Sequence, residues 1–89
     1  MKLKRLDGRT PMFHKGFPVR IEFNENRIHA TAVAFNIVKS LTEMYGKDLT
    51  RRERTWEFNP NWQYEYRGSK NPYIYLKHEH DYVILLLKK

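Results

Sequence analysis

The residues in this chain best suited to chemistry are cations, and they fall into three groups. Lys2, Lys4, Arg5 and Arg9 lie near the N-terminus, Lys47, Arg51, Arg52 and Arg54 sit close together in mid-chain, and Arg67 and Lys70 follow later. Lys and Arg neutralise phosphates while aromatic rings stack on base faces, so a nucleic-acid surface needs both on one patch. Aromatic residues are interleaved with charge in the second half of the chain. Trp62, Tyr64 and Tyr66 alternate with Gln63, Glu65 and Arg67, and Tyr73, Tyr75 and Lys77 alternate with Ile74 and Leu76. Residues two apart on a strand share a face. The first aromatic row is expected to be core, because the residues opposite it are all polar. The second is expected to face solvent, because Ile74 and Leu76 claim the interior. Tyr73, Tyr75 and Lys77 therefore join the cations as candidate ligand contacts. The mid-chain group leads the list, since its cations exceed what is needed to complement the negative end of a preceding helix.

Other chemistries find less material. His78 and His80 would point the same way on a strand, as zinc ligands can, but a site needs three or four donors. Asp81, His14 and His29 are the remaining candidates, and nothing in the sequence brings them together. Whether His78 and His80 have any role is left open. The chain has no cysteine, which excludes disulfides and thiolate metal sites. No Gly-rich phosphate loop, paired-carboxylate motif or nucleophile elbow is present. No cofactor and no metal is expected.

The elements that would position these residues follow from hydrophobic periodicity. Leu3, Arg5 and the turn signal Asp7-Gly8 predict a short edge strand or arm, and Arg9 to Pro18, with two prolines and Gly16, predicts a surface loop. Val19, Ile21 and Phe23 alternate with polar residues, as in a half-buried strand. From Asn26 to Tyr45, Ala30, Val33, Ala34, Ile37, Leu41 and Met44 recur every three or four residues, placing them on one helical face. Asn24 or Asn26 can cap the start of this helix, and Gly46 can end it. A charged connector then leads to Arg54–Phe58 and Trp62–Tyr66, read as a hairpin around Asn59-Pro60-Asn61. A second hairpin is expected from Tyr73–His78 and Tyr82–Leu87. Tyr82–Leu87 is apolar throughout, as in a central strand covered on both faces. The expected fold is α+β. One amphipathic helix packs on a mainly antiparallel sheet of about five strands, in the order strand-helix-strand-strand-strand-strand. Residues 1–89 would form a single domain: arm and loop over 1–18, strand plus helix over 19–45, and two β-hairpins over 54–88.

Composition narrows the partners. Seventeen Lys and Arg against ten Asp and Glu give a formal charge of +7, with 40% apolar residues and thirteen aromatics (five Phe, six Tyr, two Trp). Aromatic content of this kind belongs to chains that fold, and the charge steers anions toward a small surface. The longest apolar run is far short of the ~20 residues of a membrane span, and the N-terminus lacks the apolar stretch of a signal peptide. The cytoplasm is the expected compartment, with no membrane partner.

Trp56-Glu57-Phe58, Tyr73-Ile74-Tyr75 and Val83-Ile84-Leu85-Leu86 followed by Lys88-Lys89 resemble the later strands of small toxin ribonucleases of the RelE and HigB kind. That resemblance implies metal-free RNA cleavage, which needs a base, an acid and a cation near the phosphate. The chain departs from the family in having one clear helix in place of two, and in ending at Lys89 without the family's C-terminal functional segment. Compact basic proteins of this size, rich in aromatics and free of cysteine, also resemble accessory proteins of tailed phages. Such a protein would dock on an acidic face of a partner enzyme as an inhibitor. The reading adopted is a non-catalytic, RNA-binding protein of low sequence specificity. RNA is preferred to duplex DNA because no helix carries a run of basic and amide residues suited to a major groove. Oligomeric state is not legible.

Overall fold

A computed structural model describes residues 1–88. In chain order the elements are β1 (Lys2–Arg5), α1 (Pro11–His14), β2 (Val19–Glu22), α2 (Arg27–Tyr45), β3 (Leu49–Arg52), β4 (Thr55–Phe58), β5 (Trp62–Glu65), β6 (Tyr73–Leu76) and α3 (His80–Leu87). The fold is α+β. A four-stranded antiparallel sheet runs in the order β1-β2-β6-β5, and β3 and β4 form a separate two-stranded ribbon.

Period-two alternation sorts the main sheet into two faces. Ile21 pairs with Leu3 and with Ile74, and Leu76 pairs with Val19 and with Trp62, so the apolar positions line up across the strands. Helix α2 covers this face with Ala30, Ala34, Ile37 and Leu41, all buried. The alanines let the helix come close to the sheet, which suits the large Trp62 and Ile74 beneath it. The ends of α2 are set by local chemistry. The Asn26 side chain accepts the His29 backbone N–H at 3.0 Å, satisfying one of the free donors at the helix start. Gly46 ends the helix at φ 85°, where a side chain would be strained.

Three expectations are corrected. Tyr82–Leu87 is not a central strand but the body of helix α3, so there is no second hairpin. Both neighbours of β6 are already taken by β2 and β5, which leaves no slot beside it for another strand. An unbroken apolar run has no period with which to choose between strand and helix. As a helix it buries Leu85 and half-buries Tyr82, and it leaves Val83, Leu86 and Leu87 exposed. It is tied to α2 where Tyr45 Oη donates to the buried Asp81 carboxylate at 2.7 Å.

The first expected hairpin is also absent. β4 pairs with β3, and β5 pairs with β6, so Asn59-Pro60-Asn61 leads from one sheet to the other instead of folding one strand onto its neighbour. The same misreading made a connector of the segment after Gly46, which holds strand β3, the true partner of β4. Third, the loop 9–18 contains the single turn α1, begun by Pro11 at its first position, where proline's missing N–H costs nothing.

Among the described residues, no helix is long and apolar enough to cross a membrane.

Candidate nucleic-acid interface

The ribbon holds most of the mid-chain cations. Its register pairs Leu49 with Phe58, Thr50 with Glu57, Arg51 with Trp56 and Arg52 with Thr55. Because faces alternate, Leu49, Arg51, Trp56 and Phe58 share one side, and Thr50, Arg52, Thr55 and Glu57 share the other. Every residue of both strands is exposed. Trp56 is 56% and Phe58 67% accessible, large values for rings that a core would normally absorb. The Arg51 guanidinium lies 5.7 Å from the centre of the Trp56 ring, within cation–π range. The connecting loop is only Glu53 and Arg54, and Glu53 adopts φ 52°, a left-handed conformation that a non-glycine residue holds at some cost. Arg51 Nε reaches the Glu53 carbonyl at 3.4 Å across this turn.

A two-stranded ribbon alone is marginal in water, so its attachment matters. The base is clamped by side-chain amides. Asn59 Nδ2 donates to the carbonyls of Tyr45 (2.8 Å) and Lys47 (3.2 Å), and the Asn59 backbone N–H donates to the Asp48 carbonyl at 2.8 Å. Gln63, buried despite its polarity, donates to the same Asp48 carbonyl at 2.7 Å. Trp62 Nε1 donates to the Gly46 carbonyl at 2.9 Å. The Asp48 carboxylate accepts the Tyr64 backbone N–H at 3.3 Å, covering part of the free edge of β5. The ribbon therefore projects from a fixed root.

Electrostatically the ribbon differs from the N-terminal arm. Arg52 is paired with Glu57 at 3.4 Å, but Lys47, Arg51 and Arg54 form no ion pair among the described residues. The N-terminal arm is the opposite case. Arg5 pairs with Glu79 at 2.7 Å, Arg9 with Asp7 at 3.1 Å and Lys2 with Glu22 at 3.9 Å, which leaves Lys4. The Asp7 carboxyl is held below the usual carboxylate range by the Arg9 backbone N–H and then by its side chain. β1 is also the far edge of the sheet from β5, roughly 14 Å across three strand spacings. The arm and the ribbon are two separate positive regions.

The second aromatic row is corrected by the structure. Tyr75 is 3% accessible and does not face solvent, because Phe17 packs against it with ring centres 6.4 Å apart. Its hydroxyl donates to Glu65 at 3.0 Å, and burial together with this bond pushes the phenol up to about 12. Tyr73 is half-buried, with the guanidinium of Arg20 at 3.9 Å and that of Arg67 at 3.8 Å from its ring centre. Two guanidinium groups this close to one ring centre occupy its two faces, so neither face is open to a base. Arg67 also donates to the Asn71 carbonyl at 3.0 Å. Arg20 is bound to Glu22 at 2.7 Å. Its own burial opposes the charge, yet the Glu22 bond and the adjacent tyrosines hold it above its usual range. This face holds acids, phenols and cations together, but they satisfy one another. Lys70 and Lys77 remain exposed nearby.

The first row divides. Trp62 is core, as expected, whereas Tyr64 and Tyr66 are exposed. The histidines do not converge. His78 precedes α3 and His80 opens it, with ring centres 5.6 Å apart, while His14 bonds the Gly8 carbonyl at 2.7 Å. Among the described residues, no group of three or more His, Asp or Glu is placed to hold a metal. Lys89, the last of the basic pair in the ribonuclease resemblance, lies outside the described residues.

Sequence reasoning missed Trp56 and Phe58 as surface residues. The available signal was the match between Leu49-x-Arg51 and Trp56-x-Phe58 across a two-residue gap. Glu53-Arg54 lacks the glycine or asparagine that usually marks such a turn. No protein-family model matches this chain, and neither does any curated protein or solved structure.

Proposed function

We propose that this is a small, non-catalytic RNA-binding protein that grips the phosphate backbone through the β3–β4 ribbon with low sequence specificity. The observation that carries the reading is the ribbon itself. It carries Arg51 and Arg54, with Lys47 at its root, free of ion pairs among the described residues, together with two exposed aromatic rings, and Arg51 lies beside one of them. Phosphates would meet the cations and displace their counterions, which is the main source of affinity for a polyanion. Arg52 would contribute less because Glu57 competes for it. Lys2, Lys4, Arg5 and Arg9 would act as a second, weaker region at the far edge of the sheet. On this reading the protein works in the cytoplasm, where RNA is abundant.

The test is a salt titration of binding to a single-stranded RNA. With three or four phosphates neutralised, log affinity should fall against log salt with a slope of about −2 to −3. Replacing Arg51 and Arg52 together with Ala should flatten the slope and weaken binding, with little change in thermal stability. Unchanged affinity in that variant removes the ribbon from the interface. No RNA binding at moderate salt turns the reading toward an acidic protein surface as the partner.

A further inference from the structure

The ribbon is two-faced: its polar face borders a small cleft of about 220 Å³ with Thr50, Arg52 and Glu57, and its apolar face joins a larger one. Leu49, Arg51, Trp56 and Phe58 form the apolar face, and Phe58 is also part of the wall of the larger cleft, of about 470 Å³, with Met12, Lys15, Phe17, Pro60 and Gln63. This larger cleft lies between the α1 turn and the root of the ribbon. Its volume is in the range of clefts that take small planar ligands, about 300–1,000 Å³. Lys15 is exposed at its rim and makes no ion pair among the described residues.

Trp56 and Phe58 are two residues apart on one strand, so their attachment points stand roughly 6.8 Å from each other on the same side. Neighbouring bases in a duplex are only about 3.4 Å apart along the helix and are stacked on each other, with no free face. Two rings separated by twice that distance match a strand whose bases have come apart, one base for each ring.

We infer that the ribbon and cleft form a track for an unpaired strand, with one base stacked on Trp56 and the next on Phe58 at the mouth of the cleft. Arg51, beside Trp56, and Lys15, at the rim, take the phosphates that flank these bases. The inference rests on the RNA-binding reading and narrows it from RNA in general to single-stranded stretches. Charge complementarity selects a polyanion over an apolar peptide for this surface, because Arg51 lies beside the Trp56 ring and Lys15 lines the cleft that Phe58 borders, neither with an ion pair among the described residues. The phosphates and base faces used are common to unpaired RNA and unpaired DNA.

The experiment uses the intact protein and its two tryptophans, of which Trp62 is buried and serves as an internal reference. The probes are an oligouridylate of about ten nucleotides, an RNA duplex of the same length and an oligothymidylate of the same length. Trp56 emission should be quenched by the oligouridylate, and the quenching should vanish in Trp56→Phe. The single strand should bind at least about tenfold more tightly than the duplex. Phe58→Ala should weaken strand binding by about fivefold to a hundredfold. Ile28→Ala, at an exposed residue at the opposite end of α2, should leave it unchanged. Equal binding of duplex and strand, or binding without quenching, overturns the stacking track and leaves the phosphate-binding function standing. An unaffected Phe58→Ala variant, or an equally impaired Ile28→Ala variant, overturns it too. Failure of all three probes to bind removes the function itself. Equal affinity for oligothymidylate supports the track and removes the preference for RNA.

Discussion

Trp62 and Trp56 lie on consecutive strands and meet opposite surroundings. Trp62 sits under helix α2 at 1% accessibility, with its indole N–H donated to the end of that helix. Trp56 stands on a ribbon with no layer above it. Both occur in alternating apolar–polar segments of the same length and character. The difference lies in what each strand pairs with. β5 joins a sheet whose apolar face a helix covers, whereas β4 joins only β3. Alternation says that two faces differ, but not that either is covered. The ribbon leaves an apolar, cationic face exposed, and that contrast supports the proposed ligand.

The contrast is broken most directly by truncating each tryptophan in turn. Trp62→Ala should cost about 3–5 kcal/mol of stability, since it removes a fully enclosed ring and opens a cavity beneath α2. Trp56→Ala should cost roughly 0.5 kcal/mol or less, as expected for a surface ring without enclosing contacts. Denaturant melts of the two variants, set beside their RNA affinities, should rank them in opposite orders. Similar stability losses would show that the ribbon is packed in solution and that its exposed face is not available.

The next effect falls at the joint between the two regions. Asn59→Ala removes both amide donors that tie the ribbon's root to the end of α2, and it leaves the Tyr45 carbonyl short of a partner. A loss of about 1–3 kcal/mol is expected. The ribbon should also become cleavable near Glu53 and Arg54 at protease levels that leave the parent intact. RNA affinity should fall although Asn59 need not touch the ligand. A stable variant with an intact ribbon would mean that the ladder between β3 and β4 holds it upright unaided.

The opposite sheet face gives a smaller, pH-confined effect. The Tyr75 phenol is at 10.0 when free and is pushed to about 12 in the folded chain. Below pH 10 it is neutral in both states, and its contribution to stability is complete. Between pH 10 and 12 the unfolded chain ionises first, so stability falls as pH rises through that window. Tyr45, also pushed to about 12 by its bond to Asp81 and by burial, adds to the same decline. Tyr75→Phe should cost about 0.5–1.5 kcal/mol at neutral pH and make the alkaline decline shallower. An unchanged alkaline profile would show that the Tyr75 hydroxyl is solvated and not held by Glu65.

The contrast also marks what could be read without coordinates. Helix α2 was legible to within a residue or two because its spacing, its Asn26 cap and Gly46 agree. β2, β4, β5 and β6 were legible as strands from their residue patterns, and Leu3, Arg5 and Asp7-Gly8 pointed to β1 as an edge strand or an arm. Pairing was not. Asn59-Pro60-Asn61 carries a stronger turn signature than Glu53-Arg54, so local chemistry pointed to the wrong hairpin. Clamping by Asn59 and Gln63, which fixes the true arrangement, involves carbonyls of distant residues and leaves no trace in the local pattern. Tyr73 and Tyr75 were misjudged for a related reason. Their strand is covered on both faces: Phe17, in a segment that looked like a plain surface loop, covers Tyr75, and the guanidinium groups of Arg20 and Arg67 cover Tyr73. Of the candidate site, the cations were visible and their aromatic companions were not.

The smallest predicted effect tests whether charge on the ribbon is tuned for a ligand. Glu57 lies on the polar face opposite Thr50 and pairs with Arg52 at 3.4 Å, with both groups largely exposed. Such a pair contributes roughly 0–1 kcal/mol to stability, because water and salt screen it and two long side chains must be held in place. Glu57→Gln should therefore leave the melting temperature almost unchanged. It should raise RNA affinity by up to about fivefold, by releasing Arg52 and removing a negative charge from the phosphate path. The gain should shrink as salt is added, because it is electrostatic and lies at the surface. In Arg52→Ala the same substitution should give a smaller gain, since only the repulsion by Glu57 is then relieved. If Glu57→Gln weakens binding instead, the carboxylate is positioning Arg52 for the ligand, and the polar face of the ribbon belongs to the interface as much as the aromatic one does.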